Sequence, residues 1–294
     1  MDYFGPMEVT IGRRHEKRYG VLFTCLSTRA VHIEIAAYLS TDSAIMAVRR
    51  LAGRRGNPEK IYSDNGTNFH GADNELKKSL LELNQHQLTQ EMTCRGIEWH
   101  FIPPSAPHMG GAWERLVKSI KVALSSTLKE TAPREEVLQT LMVEAEYTVN
   151  CRPLTHVSLD PDDMEALTPN HFLLGSSSGA GEIPGVFVDS DLVLRKWWRR
   201  SQKLADNFWR RWVREYLPTL TRRTKWFSSG RPVKEGDLVF IADGDLPRNR
   251  WPRGVVTATY PGKDGVIRVA DVRTNTGTYR RPVVKICILD VNNK

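Results

Sequence analysis

Three acidic residues stand at places in the sequence where a carboxylate can do chemistry. Asp2 opens the run DYFGP at the start of a predicted first strand, and Asp64 ends the predicted strand KIYS. Glu114 opens a predicted helix directly after a glycine-containing loop. If a sheet brings these three chain positions together, they form an acidic cluster, and we expect no basic residue to neutralise it.

Such a cluster favours divalent cations over other ligands. Carboxylate oxygens without cysteine or paired histidine suit Mg²⁺ or Mn²⁺. Two such ions activate an attacking hydroxyl and stabilise the leaving oxygen in phosphoryl transfer. The sequence therefore predicts that Asp2, Asp64 and Glu114 are catalytic and hold two metal ions.

A row of lysines follows the glutamate. Lys118 is at i+4 and Lys121 at i+7 from Glu114, so the three side chains share one stripe of a helix. Trp113, Leu116, Val117, Ile120, Leu124 and Leu128 form a second, apolar stripe. We expect Lys118 and Lys121 to meet DNA phosphates beside the metal site. The alternative is an ordinary solvated face with an acid in its first turn.

Bulk properties exclude several classes of protein. The 294 residues suffice for one large domain or two ordinary ones, and no run of 18 apolar residues exists, so no membrane partner is expected. The four cysteines lie far apart without a C-x-x-C pair, which argues against a zinc ribbon and a disulfide scaffold. An intracellular location is the default.

Charge is distributed unevenly along the chain. Residues 1–188 carry 19 Lys and Arg against 23 Asp and Glu, a net of −4. Residues 189–294 carry 23 against 11, a net of +12. The basic second half indicates a polyanion partner, with nucleic acid favoured over a merely soluble basic domain.

The pattern of elements predicts an α/β fold, a mixed sheet flanked by helices, followed by a small all-β module. Strands are predicted at the chain start and at 17–26, 30–36, 60–63 and 97–102, and helices at 41–51, 72–93, from 111 and from 133. Four segments follow: a core at 1–174, a Gly/Ser linker at 175–187, a basic aromatic helical segment at 188–228 and a small β-barrel at 229–294.

Other aromatic and basic residues permit two interpretations each. The tryptophans of the basic segment could stack on bases, but helix packing is favoured: Trp197, Trp198, Trp209 and Trp212. The arginine pairs at 49–50 and 54–55 resemble a nuclear-import cluster, but a solvated helix end is favoured. His100 and His108 flank a proline-rich loop and are expected to be solvated. The β-module offers either a DNA-binding face or an ordinary basic surface: Arg248, Arg250, Arg253, Arg280 and Arg281.

The motifs around the acidic residues resemble those of retroelement integrases. DYFGP, IYSDNGTNFHGA, GIEWHFIPPSAPHMGGAWERLVKSIK and LTPNHFLLG are most similar to integrases of the BEL/Pao class of LTR retrotransposons. The resemblance extends through the C-terminal half, from KWWRRSQKLADNFWRRWVREYL to GDLVFIADGDLPRNRWPRGVV, and so covers nearly the whole chain.

The resemblance implies an RNase H-like core with an Asp-Asp-Glu triad at Asp2, Asp64 and Glu114, and an SH3-like DNA-binding barrel after it. It implies 3′-end processing and strand transfer of double-stranded DNA, with Lys118 and Lys121 on the element ends and Asn65 shaping the turn at the metals. It also implies a homo-multimer that works in the nucleus.

The sequence departs from the integrase pattern at two points. Asp64 and Glu114 enclose 49 residues, a longer interval than in many integrases, and the excess is expected in the helical stretch at 72–95. Only Met1 precedes Asp2, so Asp2 is expected to be poorly held. The zinc domain, reverse transcriptase and protease of such polyproteins are not in this chain, which therefore resembles a polyprotein fragment or a co-opted copy. An inactive nucleic-acid-binding remnant and an RNase H-type hydrolase of RNA·DNA hybrids remain alternatives.

Overall fold

The computed structural model describes residues 1–64, 84–102, 111–129, 131–154, 166–177, 185–193, 196–220, 232–241, 248, 253–262, 264–274 and 277–288. For residues 64, 102, 111–113 and 217–220 it describes the backbone alone. Within these ranges, no helix has the length and apolar character needed to cross a bilayer.

The first sheet begins with three antiparallel strands. Strand β1 (Asp2–Ile11) pairs with β2 (Arg14–Thr24), which pairs with β3 (Val31–Ala36). Gly12 has a φ of +62° in the tight connection between β1 and β2, a conformation open to glycine without steric cost. The predicted hairpin from residue 17 to 36 is confirmed, and DYFGP belongs to a strand of 10 residues.

Two parallel strands continue this arrangement beside β1. They are β4 (Lys60–Asp64) and β5 (Glu98–Ile102). The backbone nitrogen of Met1 donates a hydrogen bond to the carbonyl oxygen of Tyr62 at 2.6 Å, so the start of β1 lies against β4. Three antiparallel strands in the order β1-β2-β3 thus stand beside a separate parallel pair, β4-β5, with the start of β1 next to β4. The predicted α/β class, with antiparallel and parallel strands flanked by helices, is confirmed.

Helices cover both faces of the strands. They are α1 (Thr41–Arg55), α2 (Gln85–Thr93), α3 (Gly111–Leu128) and α4 (Glu135–Asn150). Successive side chains of a strand point to opposite faces. Tyr3 and Val21 accordingly pack in one core with α1 and α2, whereas Phe4 and Leu22 pack in the other with α3 and α4. The strand ends that carry Asp2 and Asp64 are thereby held between two packed layers.

The longest helix of the described chain completes the second core. After the short α5 (Pro169–Leu174) and a 3₁₀ turn at Asp189–Leu192, α6 spans Trp197–Leu220. Phe208, Trp209 and Trp212 of α6 are buried against α3 and α4. The favoured packing role of these tryptophans is confirmed, while Trp198 is 57% exposed. This helix is therefore an integral part of the core.

The C-terminal strands form a five-stranded antiparallel sheet, hereafter the C-terminal sheet, in the order β10-β6-β7-β8-β9. Its strands are β6 (Leu238–Ile241), β7 (Arg253–Pro261), β8 (Ile267–Thr274), β9 (Gly277–Pro282) and β10 (Ile286–Ile288), with a 3₁₀ turn at Val283–Lys285. Val239, Val256 and Val272 build its own small core, so the predicted all-β module is confirmed. Phe240 and Cys287 instead join the core of α3, α4 and α6.

Candidate active site

Asp2 is firmly placed at the beginning of β1. Its backbone is paired opposite Leu22 of β2 on one side. On the other side, the hydrogen bond between Met1 and Tyr62 fastens the strand to β4. The expectation that Asp2 is poorly held is therefore wrong, because two neighbouring strands fix the chain where it stands. The Asp2 side chain is 27% exposed and available to a ligand.

Lys121 of α3 neutralises Asp2. Its Nζ lies 2.7 Å from Asp2 Oδ1, and the lysine side chain is 23% exposed. The expectation of an acidic cluster without a basic neutraliser is therefore wrong. The reason is helix geometry: α3 packs its apolar stripe on β1, which turns the edge carrying Lys121 toward the start of that strand.

Glu114 and Lys118 are both exposed, and they lie about two turns and one turn, respectively, nearer the beginning of α3 than Lys121. At 1.5 Å per residue, Glu114 lies about 10 Å along the axis from Lys121. The predicted stripe of one acid and two lysines is therefore present. The Lys121 end of the stripe contacts the sheet at Asp2, and the Glu114 end is open to solvent.

Asp64 ends β4, where its backbone is opposite Ile102 of β5. Its side chain, and all of Asn65, lie outside the described residues. The backbone nevertheless fixes its neighbourhood, since Asp64 follows Tyr62 by two residues and Asp2 follows Met1 by one. Asp2 and Asp64 thus lie on neighbouring strands, each within two residues of the hydrogen bond that joins Met1 to Tyr62. We call Asp2, Asp64 and Glu114 the acidic edge.

Sequence reasoning missed the contacts that support β4 just before Asp64. Trp99 Nε1 donates to Ser63 Oγ at 2.9 Å, and both residues are buried. Tyr62 stacks on His100 with ring centroids 5.0 Å apart. His100 is a strand residue that also contacts Glu98 at 2.8 Å, and its side chain is 38% exposed, so the expected exposure to solvent is present. The signal for these pairs was the parallel register of KIYS with EWHF. His108 lies outside the described residues.

The donor chemistry of the acidic edge fits a hard divalent cation. Asp2 and Glu114 offer carboxylate oxygens, as Asp64 does by its residue type, and such ligands suit Mg²⁺ or Mn²⁺. Within the described ranges, no three His, Cys, Asp or Glu side chains are grouped closely enough to hold a metal, and the side chain of Asp64 is not among those described. Lys121 contacts Asp2 Oδ1, which leaves the second carboxylate oxygen of Asp2 to a cation.

Arg248 does not present its charge to a nucleic acid. Its Nε lies 2.9 Å from Asp206 Oδ1 and its Nη1 lies 3.3 Å from Glu144 Oε2. Its Nη2 also donates to the side chain of Gln202, and the arginine side chain is only 11% exposed. These contacts with α4 and α6 occupy most of its donors and do not support DNA binding by Arg248, which stays a prediction.

The other arginines expected on the β-module have different settings. Arg253 begins β7, opposite Phe240, and is partly buried, while Arg250 lies outside the described residues. Arg280 is exposed, but its Nε donates to Asp271 Oδ1 at 2.8 Å. Hydrogen bonds from Arg280 and Tyr260 lower the pKa of Asp271 to about 2. The positive charge of Arg280 is thus largely balanced in place.

A buried charge network lies under α1. His32 Nε2 contacts Glu34 at 2.9 Å and its Nδ1 contacts Glu146 at 3.0 Å, and all three residues are buried. Burial alone disfavours the charged imidazole, but the contacts with Glu146 and Glu34 outweigh it and raise the pKa of His32.

Arginines at the end of α1 complete this network. Arg50 and Arg54 donate to Glu34 at 2.5 and 2.6 Å, and Arg55 donates to Glu146 at 2.5 Å. The sequence favoured a solvated helix end here. The helix end is indeed exposed, with Arg54 at 53%, and the three arginines also pair with two buried carboxylates, a pairing that spans 91 residues of sequence between Arg55 and Glu146.

Comparison with known sequences finds one family at the C-terminal end. Residues 196–289 match DUF5641, a family of unknown function. The match begins at α6 and runs through the C-terminal sheet, about a third of the chain. No curated protein sequence matches the chain.

Comparison with solved structures finds viral integrases. A structure of the simian T-cell lymphotropic virus intasome with the PP2A regulatory subunit B56 gamma is 12% identical, with a TM-score of 0.37, over 99% of this chain and 79% of that chain. The catalytic core of BIV integrase is 15% identical, with a TM-score of 0.37, over 59% and 93%. The HTLV-2 integrase catalytic core in complex with magnesium is 16% identical, with a TM-score of 0.33, over 53% and 88%. The fold of this chain is defined by its own strand order and packing.

Proposed function

We propose that the chain is a metal-dependent polynucleotidyl transferase of the integrase type that acts on double-stranded DNA. The contact between Asp2 and Lys121 is the observation that carries this proposal. It holds α3, with Glu114 at its beginning, against the strand end where Asp2 stands. Asp64 comes to the same region on the adjacent strand. Three carboxylates on three different elements are thereby available to one reaction centre.

Each residue of the site has a role in this proposal. Asp2, Asp64 and Glu114 hold two Mg²⁺ or Mn²⁺ ions, and Asn65 shapes the turn after Asp64. Such ions, when bound, supply the Lewis acidity that activates a hydroxyl and stabilises the leaving oxygen. Lys118 is exposed beside Glu114 and binds a DNA phosphate. When the Asp2 carboxylate binds metal, Lys121 releases it and binds a second DNA phosphate.

The sequence motifs support a finer assignment within this proposal. SDNGTNF and GGAWERLVKSIK resemble BEL/Pao integrases, whose reactions are 3′-end processing by water and strand transfer by a DNA 3′-hydroxyl. The substrates are then the ends of an element and a target duplex, the working form is a homo-multimer, and the place of action is the nucleus.

Strand transfer with labelled duplexes that carry the element's terminal repeats tests the proposal. We expect joined products in Mn²⁺ or Mg²⁺, and Glu114→Gln should lower them by at least about a hundred-fold because a metal ligand is lost. Glu136→Gln is the matched control, since Glu136 is also an exposed acid in the first turn of a helix. Equal loss with both variants, or joining by Glu114→Gln at the wild-type rate, contradicts the proposal.

One observation favours a second function, which is DNA binding without catalysis. Lys118 is exposed one turn before Lys121 and can bind a phosphate without any metal. If this function is the right one, the chain binds duplex DNA without joining it, and Glu114→Gln has no effect on any product. Cleavage of RNA·DNA hybrids without strand transfer would instead indicate an RNase H-type hydrolase.

A further inference from the structure

A second basic surface lies on the far half of α3. An open groove of about 330 Å³ runs between α3 and α6, and we call it the arginine groove. It is lined by Ser126, Thr127, Asn207, Arg210, Arg211 and Arg214. None of these residues belongs to the acidic edge, and the proposed reaction does not use them.

The packing of the two helices creates this groove. Ser119 Oγ donates to the carbonyl oxygen of Glu215 at 3.4 Å, whereas Ser126 lies beside Arg210, so α3 and α6 run antiparallel. Trp212 of α6 and Leu124 of α3 are fully buried between them. The neighbouring polar positions are left to line the open side of the same junction.

The arginines of the groove are not equally free. Arg211 donates to Glu215 at 2.8 Å, so its charge is partly balanced. Arg210 and Arg214 are exposed, one helical turn apart, and neither is ion-paired with a carboxylate of the described chain. Nearby Asp206 is already bound by Arg248. A concave surface with an excess of one sign of charge focuses its field on an oppositely charged ligand.

We propose that the arginine groove binds the sugar–phosphate backbone of DNA. Arg210 and Arg214 pair with phosphate oxygens, and the hydroxyl of Ser126 and the amide of Asn207 donate hydrogen bonds beside them. This inference rests on the proposed function for its choice of DNA as the polyanion. It adds a binding site that the acidic edge does not contain.

The position of the groove defines which part of the DNA it holds. Ser126 follows Glu114 by 12 residues, which places it roughly 18 Å along the helix axis and about a third of a turn around it. DNA that reaches the acidic edge and continues along α3 therefore meets the groove several base pairs from the reacting phosphate. The groove is a clamp for the duplex and is not a part of the reaction centre.

Equilibrium binding tests the inference without requiring catalysis. The full chain is titrated against a fluorescent duplex of unrelated sequence, in EDTA, at several salt concentrations. We expect Arg210→Ala/Arg214→Ala to weaken binding roughly ten-fold near 0.15 M salt and to reduce the salt slope by about 2, since each lost phosphate contact removes about 0.9.

The matched control is Arg13→Ala/Arg14→Ala, which removes the same charge from exposed positions at the β1–β2 turn. A second pair keeps every arginine: Ser126→Glu adds a negative charge inside the groove, and Gln90→Glu adds one at an exposed position of α2. We expect Arg210→Ala/Arg214→Ala and Ser126→Glu to bind DNA more weakly than their respective controls. Circular dichroism and thermal melting of all four variants confirm that the fold is retained.

The inference is overturned if Arg210→Ala/Arg214→Ala and Arg13→Ala/Arg14→Ala give the same affinity and salt slope. The same titration is run with polyglutamate in place of DNA. If Arg210→Ala/Arg214→Ala lowers the affinity for polyglutamate and leaves the affinity for DNA unchanged, the inference is overturned and an acidic protein partner is indicated. The proposed function can fail separately: strand transfer can be absent while the groove variants still weaken DNA binding, because the binding assay contains no metal.

Discussion

At the residue scale, His32 is a buried ionisable group with two opposite partners, and it lies outside the acidic edge. Its ring contacts Glu34 and Glu146, and both carboxylates also accept hydrogen bonds from arginines of α1. Burial opposes ionisation of Glu34 and Glu146, yet the contacts with His32 and the arginines lower the pKa of each. In the folded protein, these contacts favour the charged form of each of the three groups.

His32→Gln tests this network through the pH dependence of stability. The pKa of His32 is raised in the folded state, so its contribution is fully present below its ordinary value near 6.5 and is lost as pH rises through the folded value. The two glutamates have lowered values, so their contribution is lost only on acidification below their ordinary value near 4.5. We expect the variant to be less stable by roughly 1–3 kcal/mol at pH 5.5 and by less at pH 8.5.

Urea denaturation at both pH values measures this difference. His86→Gln is the control, since His86 is exposed on α2 and its replacement should leave the free energy of unfolding nearly unchanged. A stability loss by His32→Gln that grows as the pH rises would mean that the imidazole is neutral in the folded protein.

At the element scale, the strand that carries Asp2 depends on a glycine in its partner. Phe4 of β1 is paired opposite Gly20 of β2, and the Phe4 ring occupies the space in which a Cβ would lie. An added Cβ at Gly20 would be 2.0 Å from the ring. A longer side chain in β2 therefore displaces Phe4 from the core and shifts the start of β1.

Gly20→Ala should destabilise the fold by about 1–3 kcal/mol, the usual cost of an overpacked core. Gly53→Ala is the matched control: Gly53 lies in α1 with open space around it, and alanine there should stabilise by up to about 1 kcal/mol. Chemical denaturation gives both values. The explanation fails if Gly20→Ala is neutral, or if Phe4→Leu does not relieve part of its effect.

At the scale of the whole molecule, α6 and the C-terminal sheet are tied to the α/β core. Trp212 and Phe208 are fully buried in that core, and Phe240 and Cys287 of the C-terminal sheet join the same cluster. Arg248 adds ion pairs to Asp206 of α6 and Glu144 of α4. The region that matches DUF5641 thus packs on the strands and helices that precede it.

Arg248→Ala should destabilise the protein by about 2–4 kcal/mol, because two largely buried carboxylates lose their partner. It should leave the salt dependence of DNA binding unchanged. Arg268→Ala is the control: Arg268 pairs with Asp264 at 2.6 Å on an exposed surface and should cost less than about 1 kcal/mol. Calorimetric melting measures the stability loss of each variant. Equal losses would mean that the ion pairs of Arg248 contribute no more than an exposed pair.

The sequence by itself determined the class of the fold and the choice of candidate residues. Local patterns sufficed for this: a run of apolar and β-branched residues marked β2, alternation marked β5, and the glycines before Glu114 marked the beginning of α3. Residue types and spacing also led to Asp2, Asp64 and Glu114, because carboxylates at the ends of elements are visible in a linear chain.

Only the tertiary structure decided which charges meet. The pairs Asp2–Lys121, Glu146–Arg55 and Glu144–Arg248 join residues 119, 91 and 104 positions apart. No local periodicity encodes such contacts, since they depend on how the helices pack on the sheet. For the same reason the basic row of α6 could not be divided in advance: packing buried its tryptophans, paired Arg211 with Glu215, and left Arg210 and Arg214 open in a groove with α3.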